Sequence, residues 1–201
     1  MKKVSFLGLG VMGYPMAGHL ASQGYQVTVY NRTTEKARQW CSQYTGTLAE
    51  TPQEAVRDAE LVMMCVGNDD DVRQVGHSAL SAMQAGTVLI DHTTASAQVA
   101  RELYQACQEK QVGFLDAPVS GGQAGAENGQ LTIMVGGDHA VYSQAETALN
   151  VYARHAQLLG ESGSGQLAKM MNQICIAGIV QGLAEALHLS LIHISEPTRP
   201  Y

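Results

Sequence analysis

The sequence predicts an α/β protein, a doubly wound parallel sheet followed by the first long helix of a truncated all-α domain. Three observations support this. Short runs of β-branched and bulky apolar residues alternate with longer helical patterns through the first three quarters of the chain. A glycine-rich turn directly follows the first such run, and no strand pattern follows the last helical one. Strands separated by helices need crossover connections, and these produce a parallel sheet.

The strand and helix predictions rest on apolar runs bounded by polar or glycine positions and on helical spacing of apolar residues. Strands are predicted over 4–9, 26–30, 61–66, 87–90, 113–115, 131–135 and near 157–159. Helices are predicted over 11–23, 34–43, 52–57, 70–83, 96–110, 140–151 and from 165 to about 187. The domains expected from this order are a dinucleotide-binding domain over 1–162 and the start of a helical domain over 163–188.

Residues 189–201 lose the helical composition and contain two prolines. They resemble the translation of a sequencing adapter joined to a truncated reading frame, so we expect a non-native tail. A genuine, divergent C-terminus is the alternative.

Composition excludes several classes of function. Twelve Lys and Arg against eighteen Asp and Glu give a net charge of −6 without a basic cluster, which argues against a nucleic-acid partner. Four widely spaced cysteines predict neither a disulfide framework nor a zinc site and favour a reducing cytoplasm. Uninterrupted apolar stretches are far shorter than the ~20 residues of a membrane span. The acidic run 69–71 lacks the spacing of a calcium loop, so no metal is expected.

A G-x-G-x-x-G pattern joins the first predicted strand to the first helix, as in Rossmann-type dinucleotide-binding domains. In that setting the first glycine permits a tight turn, the second lets the backbone approach a pyrophosphate, and the third allows close packing of helix on strand. The helix N-terminus then offers free N–H groups to the phosphates. The predicted cradle consists of Gly8, Leu9, Gly10, Val11, Met12 and Gly13.

The residues after the second strand predict the cofactor. An NAD site usually has an acidic residue here that binds the ribose 2′-hydroxyl. This chain has Asn31, Arg32 and Thr33 instead, so no carboxylate repels a 2′-phosphate and the Arg32 guanidinium can bind one. NADP is therefore expected in preference to NAD, with acceptance of both as the alternative.

Three segments together resemble the β-hydroxyacid dehydrogenase family, which includes 3-hydroxyisobutyrate dehydrogenase, tartronate semialdehyde reductase and glyoxylate/succinic semialdehyde reductases. They are residues 6–17, similar to the family's cofactor signature, 116–132, similar to its substrate-binding segment, and 163–172, similar to its catalytic segment. The resemblance implies an NAD(P)-dependent oxidoreductase acting on CH–OH groups, a small carboxylate-bearing substrate and a homo-oligomer. It also implies that most of a helical C-terminal domain is missing.

Lys169 is the residue expected to transfer a proton. Hydride transfer from a hydroxy acid needs a group that takes the hydroxyl proton. Burial in a cleft and the positive end of the predicted helix would both lower the pKa of this lysine towards neutrality. Asn172 and Gln173 follow at helical spacing and are expected to bind substrate or fix the amine. The family often has a second Asn where this chain has Gln173. The sequence therefore does not assign separate roles to the side-chain amides of Asn172 and Gln173.

Strand ends supply the remaining candidates. Ser120, Gly121 and Gly122 follow a strand end and can form a small nest for a carboxylate. Thr94 resembles the family position that contacts the nicotinamide-ribose end of the cofactor. Val66 and Gly67, at another strand end, are expected to line the cofactor path.

Two other functions compete with this hypothesis. A 6-phosphogluconate dehydrogenase-like oxidative decarboxylase needs a basic set for a substrate phosphate, and none surrounds Ser120 or Lys169. A non-catalytic NADP-binding module has no need of a lysine beside an anion pocket. Lys169 therefore favours the oxidoreductase.

Overall fold

The computed structural model describes residues 2–193, with helices and strands alternating along the chain. The strands are β1 Lys3–Leu7, β2 Gln26–Tyr30, β3 Thr47–Leu48, β4 Leu61–Met64, β5 Val88–Asp91, β6 Gly113–Asp116, β7 Val119–Ser120, β8 Leu131–Gly137 and β9 Ala153–Gly160. The helices are α1 Gly13–Ser22, α2 Thr34–Gln43, α3 Pro52–Val56, α4 Asp69–Leu80, α5 Ala97–Glu109, α6 Gly122–Glu127, α7 His139–Leu149 and α8 Ser164–His193.

One sheet contains all nine strands, in the order β3-β2-β1-β4-β5-β6-β8-β7, with β9 paired to β8. The strands from β3 to β6 are parallel, as predicted. The expectation of an all-parallel sheet is wrong at β8, which runs antiparallel to β6 and β7. The reason is that β7 continues β6 along the same partner after a break at 117–118, and the short α6 then turns the chain back.

The sheet is covered on both faces, which confirms the doubly wound class. Neighbouring residues in a strand point to opposite faces. Phe6 accordingly packs in one buried cluster, with side chains of α1, α2 and α7, whereas Leu7 packs in the other, with side chains of α3, α4 and α5. Trp40 is fully buried in the first cluster. Burial on both faces explains why the central strands are continuous apolar runs.

The predicted elements are present, and their observed bounds differ at the ends. The bounds of β2 and α2 match the prediction, whereas β9 covers Ala153–Gly160 instead of the short predicted strand. Three elements were not predicted: β3, β7 and α6. The two strands have two residues each and α6 has six, so none is long enough to show a periodic pattern.

Tertiary contacts divide the described chain into two units, 2–169 and 170–193. Helix α8 continues to His193, past its predicted end at 187, so the first residues of the predicted tail are helical. The rest of that tail, 194–201, lies outside the described residues.

The part of α8 in the second unit is apolar around its circumference. Exposed apolar side chains there are Met170, Met171, Ile174, Ile176, Ile179, Val180, Leu183, Leu187, Leu189 and Leu191. By length and composition alone the helix is sufficient to cross a membrane. Core helices of soluble proteins have the same properties, so this observation assigns no membrane.

Candidate functional site

The glycine turn between β1 and α1 has two crowded positions and one open one. Gly8 has a φ of 98°, and a Cβ there would lie 2.1 Å from the Cys65 carbonyl oxygen. A Cβ on Gly13 would lie 2.0 Å from the Gly8 carbonyl oxygen. At Gly10, by contrast, a Cβ would meet no heavy atom within 4 Å. Gly8 and Gly13 therefore serve packing, whereas Gly10 leaves its backbone open to the space above the turn.

A cavity of about 560 Å³ opens above this turn, at the carboxyl ends of β1, β2 and β4. It brings together nine of the predicted cofactor residues: Gly8, Gly10, Val11, Met12, Asn31, Arg32, Thr33, Val66 and Gly67. The other lining residues are Tyr30, Lys36, Pro52, Cys65, Asp71, Gln74, Val75 and Ser78. The carboxyl ends of parallel strands are where open α/β sheets bind ligands.

The side chain of Asn31 stabilises the glycine turn through two hydrogen bonds. Its Oδ1 accepts a hydrogen bond from the Leu9 N–H at 2.8 Å, and its Nδ2 donates to the Thr33 carbonyl oxygen at 2.9 Å. Leu9 is buried and Gly13 is packed under the turn, so neither lines the cavity. Their contribution is to the shape of the cradle.

The mouth of the cavity carries charges of both signs. Arg32 Nη1 lies 3.0 Å from Asp71 Oδ1, and the side chain of Arg32 is 81% exposed whereas that of Asp71 is 21% exposed. Lys36, in the first turn of α2, also lines the cavity. Sequence reasoning missed Lys36 and Asp71. The position of Lys36 shortly after Thr33 was the available signal, whereas Asp71 is 39 residues away from Arg32 and gave none.

The three acidic residues that open α4 have separate partners. Asp69 accepts hydrogen bonds from the backbone N–H and the hydroxyl of Ser96, at 2.9 and 2.5 Å. Asp70 pairs with Arg73 at 3.3 Å, and Asp71 pairs with Arg32. Within residues 2–193 no cluster of His, Cys, Asp and Glu is arranged to hold a metal ion.

The predicted nicotinamide and substrate residues lie outside this cavity. Thr94 is exposed in the loop between β5 and α5. Ser120 ends β7, paired with Thr132, so it stands about 13 Å beyond Asp116 along the strand direction. The chain leaves this strand through Gly121 and Gly122, with φ of 131° and 61°, which favours glycine at both positions.

Lys169 is buried, with 8% of its surface exposed. Burial lowers the pKa of its amine, because water no longer stabilises the charged form. Among the described residues this amine makes no ion pair. Asn172 and Gln173 belong to the second unit, where the Asn172 amide donates to Gln173 Oε1 at 3.3 Å.

His92, which directly follows β5, is a packing residue. It is 1% exposed, its Nδ1 lies 2.7 Å from the Ala117 carbonyl oxygen and its Nε2 lies 2.9 Å from the Tyr152 hydroxyl. Burial lowers its pKa to about 4, so the ring is neutral at physiological pH.

Comparison with known proteins identifies relatives of this chain. A family model described as the NAD binding domain of 6-phosphogluconate dehydrogenase matches residues 3–160. An uncharacterized oxidoreductase of Shewanella frigidimarina is 58% identical over 193 residues, which cover 94% of this chain and 66% of that protein. A probable mitochondrial 3-hydroxyisobutyrate dehydrogenase-like protein of Arabidopsis thaliana is 40% identical over 189 residues, which cover 92% of this chain and 56% of that protein. The chain thus spans about two thirds or less of these relatives.

A solved structure shows the same fold. The 3-hydroxyisobutyrate dehydrogenase of Mycobacterium tuberculosis, determined with L-serine, matches this chain with a TM-score of 0.90 at 33% identity. The match covers 94% of this chain and 65% of that one. The fold class expected from the sequence is therefore that of a solved dehydrogenase.

Proposed function

The chain belongs to the β-hydroxyacid dehydrogenase family, and from this premise we propose that it supplies the cofactor domain and the proton-transfer lysine of an NADP-dependent oxidoreductase. The reaction interconverts a small β-hydroxy acid, or the alcohol form of a semialdehyde, with its carbonyl form. The observation that carries this proposal is the cavity above the open Gly10, which gathers nine residues predicted from sequence to bind a dinucleotide.

The donors around the cavity fit a phosphorylated dinucleotide. The open backbone at Gly10 and the N-terminus of α1 suit a pyrophosphate, because free N–H groups there point at bound anions. Arg32, whose ion-pair partner Asp71 also lines the cavity, and Lys36 are the two cations beside the position of a 2′-phosphate. No carboxylate occupies positions 31–33, where an acidic residue would favour the ribose 2′-hydroxyl of NAD. These features support NADP over NAD.

Lys169 acts as the general acid and base in this proposal. The nicotinamide, when bound, accepts or supplies the hydride. In the oxidation direction, the Lys169 amine takes the proton of the substrate hydroxyl, and in reduction it returns a proton to the carbonyl oxygen. Burial lowers the pKa of this amine, so it releases its proton more readily than an ordinary lysine.

The substrate class rests on the segment that ends β7. The Ser120 hydroxyl and the N–H groups of Gly121 and Gly122 suit a carboxylate. Asn172 and Gln173 are the proposed amide contacts to the substrate or to the lysine. Since neither 115–135 nor 160–175 contains a basic residue other than Lys169, a phosphorylated sugar acid fits less well than a short carboxylate.

Two measurements test the proposal. The first is titration of the chain with NADPH and with NADH, followed by nucleotide fluorescence, with the chain unfolded in urea as the control. The second is a panel of small semialdehydes and glyoxylate assayed with both cofactors. We expect tighter binding of NADPH than of NADH and reduction of at least one carboxylate-bearing aldehyde. Absence of binding by either dinucleotide would reject the cofactor assignment, and equal binding would reject the preference.

A further inference from the structure

Two buried carboxylates end neighbouring strands and order the segments that follow. Asp91 ends β5 and Asp116 ends β6, and the two residues are register partners in the sheet. Asp91 Oδ1 accepts a hydrogen bond from the Thr93 N–H at 2.9 Å. Asp116 accepts from the Gly163 N–H at 2.6 Å through Oδ1 and from the Gln166 N–H at 3.0 Å through Oδ2. Since the first N–H groups of a helix have no partner within it, Asp116 caps α8 from the sheet.

Gln166 connects these two segments. It is 1% exposed, and both ends of its amide have a partner. Nε2 donates to the Thr93 carbonyl oxygen at 2.7 Å, and Oε1 accepts from the Ala95 N–H at 3.1 Å. The Thr93 hydroxyl in turn accepts from the N–H of Val66 at 3.0 Å, and Val66 lines the cofactor cavity. An unbroken series of hydrogen bonds therefore runs from the cavity wall to the first turn of α8.

The start of α8 has no room to move sideways. A Cβ on Gly165 would lie 2.4 Å from the Met134 carbonyl oxygen and 2.7 Å from that of Asp116. A Cβ on Gly136 would lie 2.6 Å from Asp116 Oδ1. The helix backbone thus rests directly on β6 and β8. Lys169 follows Gln166 by three residues, which puts both side chains on the same side of the helix.

We propose that Gln166 is a positioning residue, which holds the amine of Lys169 at a fixed place relative to the wall of the cofactor cavity, with Asp116 as the anchor of the helix. The inference rests on the proposed function, because it assumes that Lys169 meets a substrate beside the cofactor. Without the Gln166 amide, the Thr93 carbonyl and the Ala95 N–H lose their partner, so the first turn of α8 stays on β6 and β8 but is no longer bonded to the loop 93–95. The surroundings of the amine then change.

The test measures Lys169 directly in the variants Gln166→Leu and Gln166→Met. The fraction of Lys169 acetylated by acetic anhydride is followed by mass spectrometry against pH, and the midpoint gives the pKa of the amine. Both variants are neutral and remove the two hydrogen bonds of the amide, and Gln166→Met keeps a side chain of similar length. Gln98→Leu is the matched control. Gln98 is exposed on α5, and within residues 2–193 its side chain hydrogen-bonds to Glu102 alone.

We expect the midpoint to rise by about one pH unit in Gln166→Leu and in Gln166→Met, and not at all in Gln98→Leu. A structural role alone would lower the unfolding temperature without moving the midpoint. An unchanged midpoint in a folded Gln166 variant would overturn the inference, and Gln166→Met decides if Gln166→Leu fails to fold. Titration of the same samples with NADPH tests the proposed function independently. If the unaltered chain does not bind NADPH, the proposed function is rejected, whereas the role of Gln166 is still decided by the acetylation midpoints.

Discussion

Replacing Gly10 with alanine should separate dinucleotide binding from folding. The new methyl group would meet no heavy atom within 4 Å, and Gly10 does not have a positive φ. Alanine at such a position restricts the unfolded chain, so the free energy of unfolding should stay constant or rise by about 0.4–1 kcal/mol. Gly13→Ala is the matched comparison. Its methyl group would lie 2.0 Å from the Gly8 carbonyl oxygen, and such overpacking costs about 1–3 kcal/mol or more.

The effect of Gly10→Ala on binding should be large. A methyl group here occupies the space through which a pyrophosphate reaches the backbone, so at least one hydrogen bond to a charged phosphate is lost. Such a bond contributes about 1.5–3 kcal/mol. Since each 1.4 kcal/mol corresponds to about a tenfold change in Kd, NADPH should bind roughly 10- to 150-fold more weakly.

Both quantities are accessible in one sample. Trp40 is the single tryptophan and is fully buried, so its fluorescence reports urea unfolding of the first unit. Nucleotide fluorescence reports NADPH binding. Gly10→Ala protein that unfolds normally and binds NADPH with unchanged affinity would refute the assignment of the glycine turn as the phosphate cradle.

Three other predictions follow from the site and its surroundings. Lys169→Ala should leave NADPH affinity nearly unchanged and lower turnover by orders of magnitude, and turnover close to that of the unaltered protein would reject the proton-transfer role. Arg32→Ala should weaken NADPH binding roughly 10- to 100-fold in fluorescence titrations while NADH binding changes little, because only NADPH carries the 2′-phosphate; equal losses would contradict this. His92, whose pKa falls from 6.5 to about 4 on folding, binds fewer protons in the folded state, so its contribution to stability is lost as pH falls from about 6.5 to 4. In urea titrations, the free energy of unfolding should therefore fall by about 3 kcal/mol less between pH 6.5 and pH 4 in His92→Asn than in the unaltered protein. An equal fall in both proteins would show that His92 is already charged in the folded protein.

Sequence patterns predicted the parts of the fold whose information is local. The run 26–30 alternates polar and β-branched residues between a glycine-containing turn and a helix start, so β2 was predicted with its observed bounds. The direction of β8 cannot be predicted from its own residues. It depends on which neighbour the strand meets, and here that neighbour is the continuous path of β6 and β7.

The candidate site likewise has one part that the sequence predicts and one part that it does not. The cavity gathers the glycine turn and residues 31–33 because those residues sit beside strand ends, which the pattern located. The pairing of Arg32 with Asp71 and the burial of Gln166 depend on loops that meet only in the folded chain. From sequence alone, a glutamine in the first turn of a helix is expected to be exposed. Its burial becomes apparent only when the loop that packs against it is known.

The contact between β6 and β8 has a consequence for the chemistry. Only two residue pairs join these strands, Leu115 with Gly137 and Asp116 with Gly136, whereas β1 and β2 share five. β7 continues the path of β6 and adds two further pairs with β8, so a single line of pairing joins the parallel strands that carry the cavity to β8, and Asp116 fixes the start of α8 at this line. If this pairing opened, the start of α8 would move away from the cavity, so the Asp116 carboxylate, which bonds to the start of α8, helps to keep Lys169 at a fixed distance from the cavity.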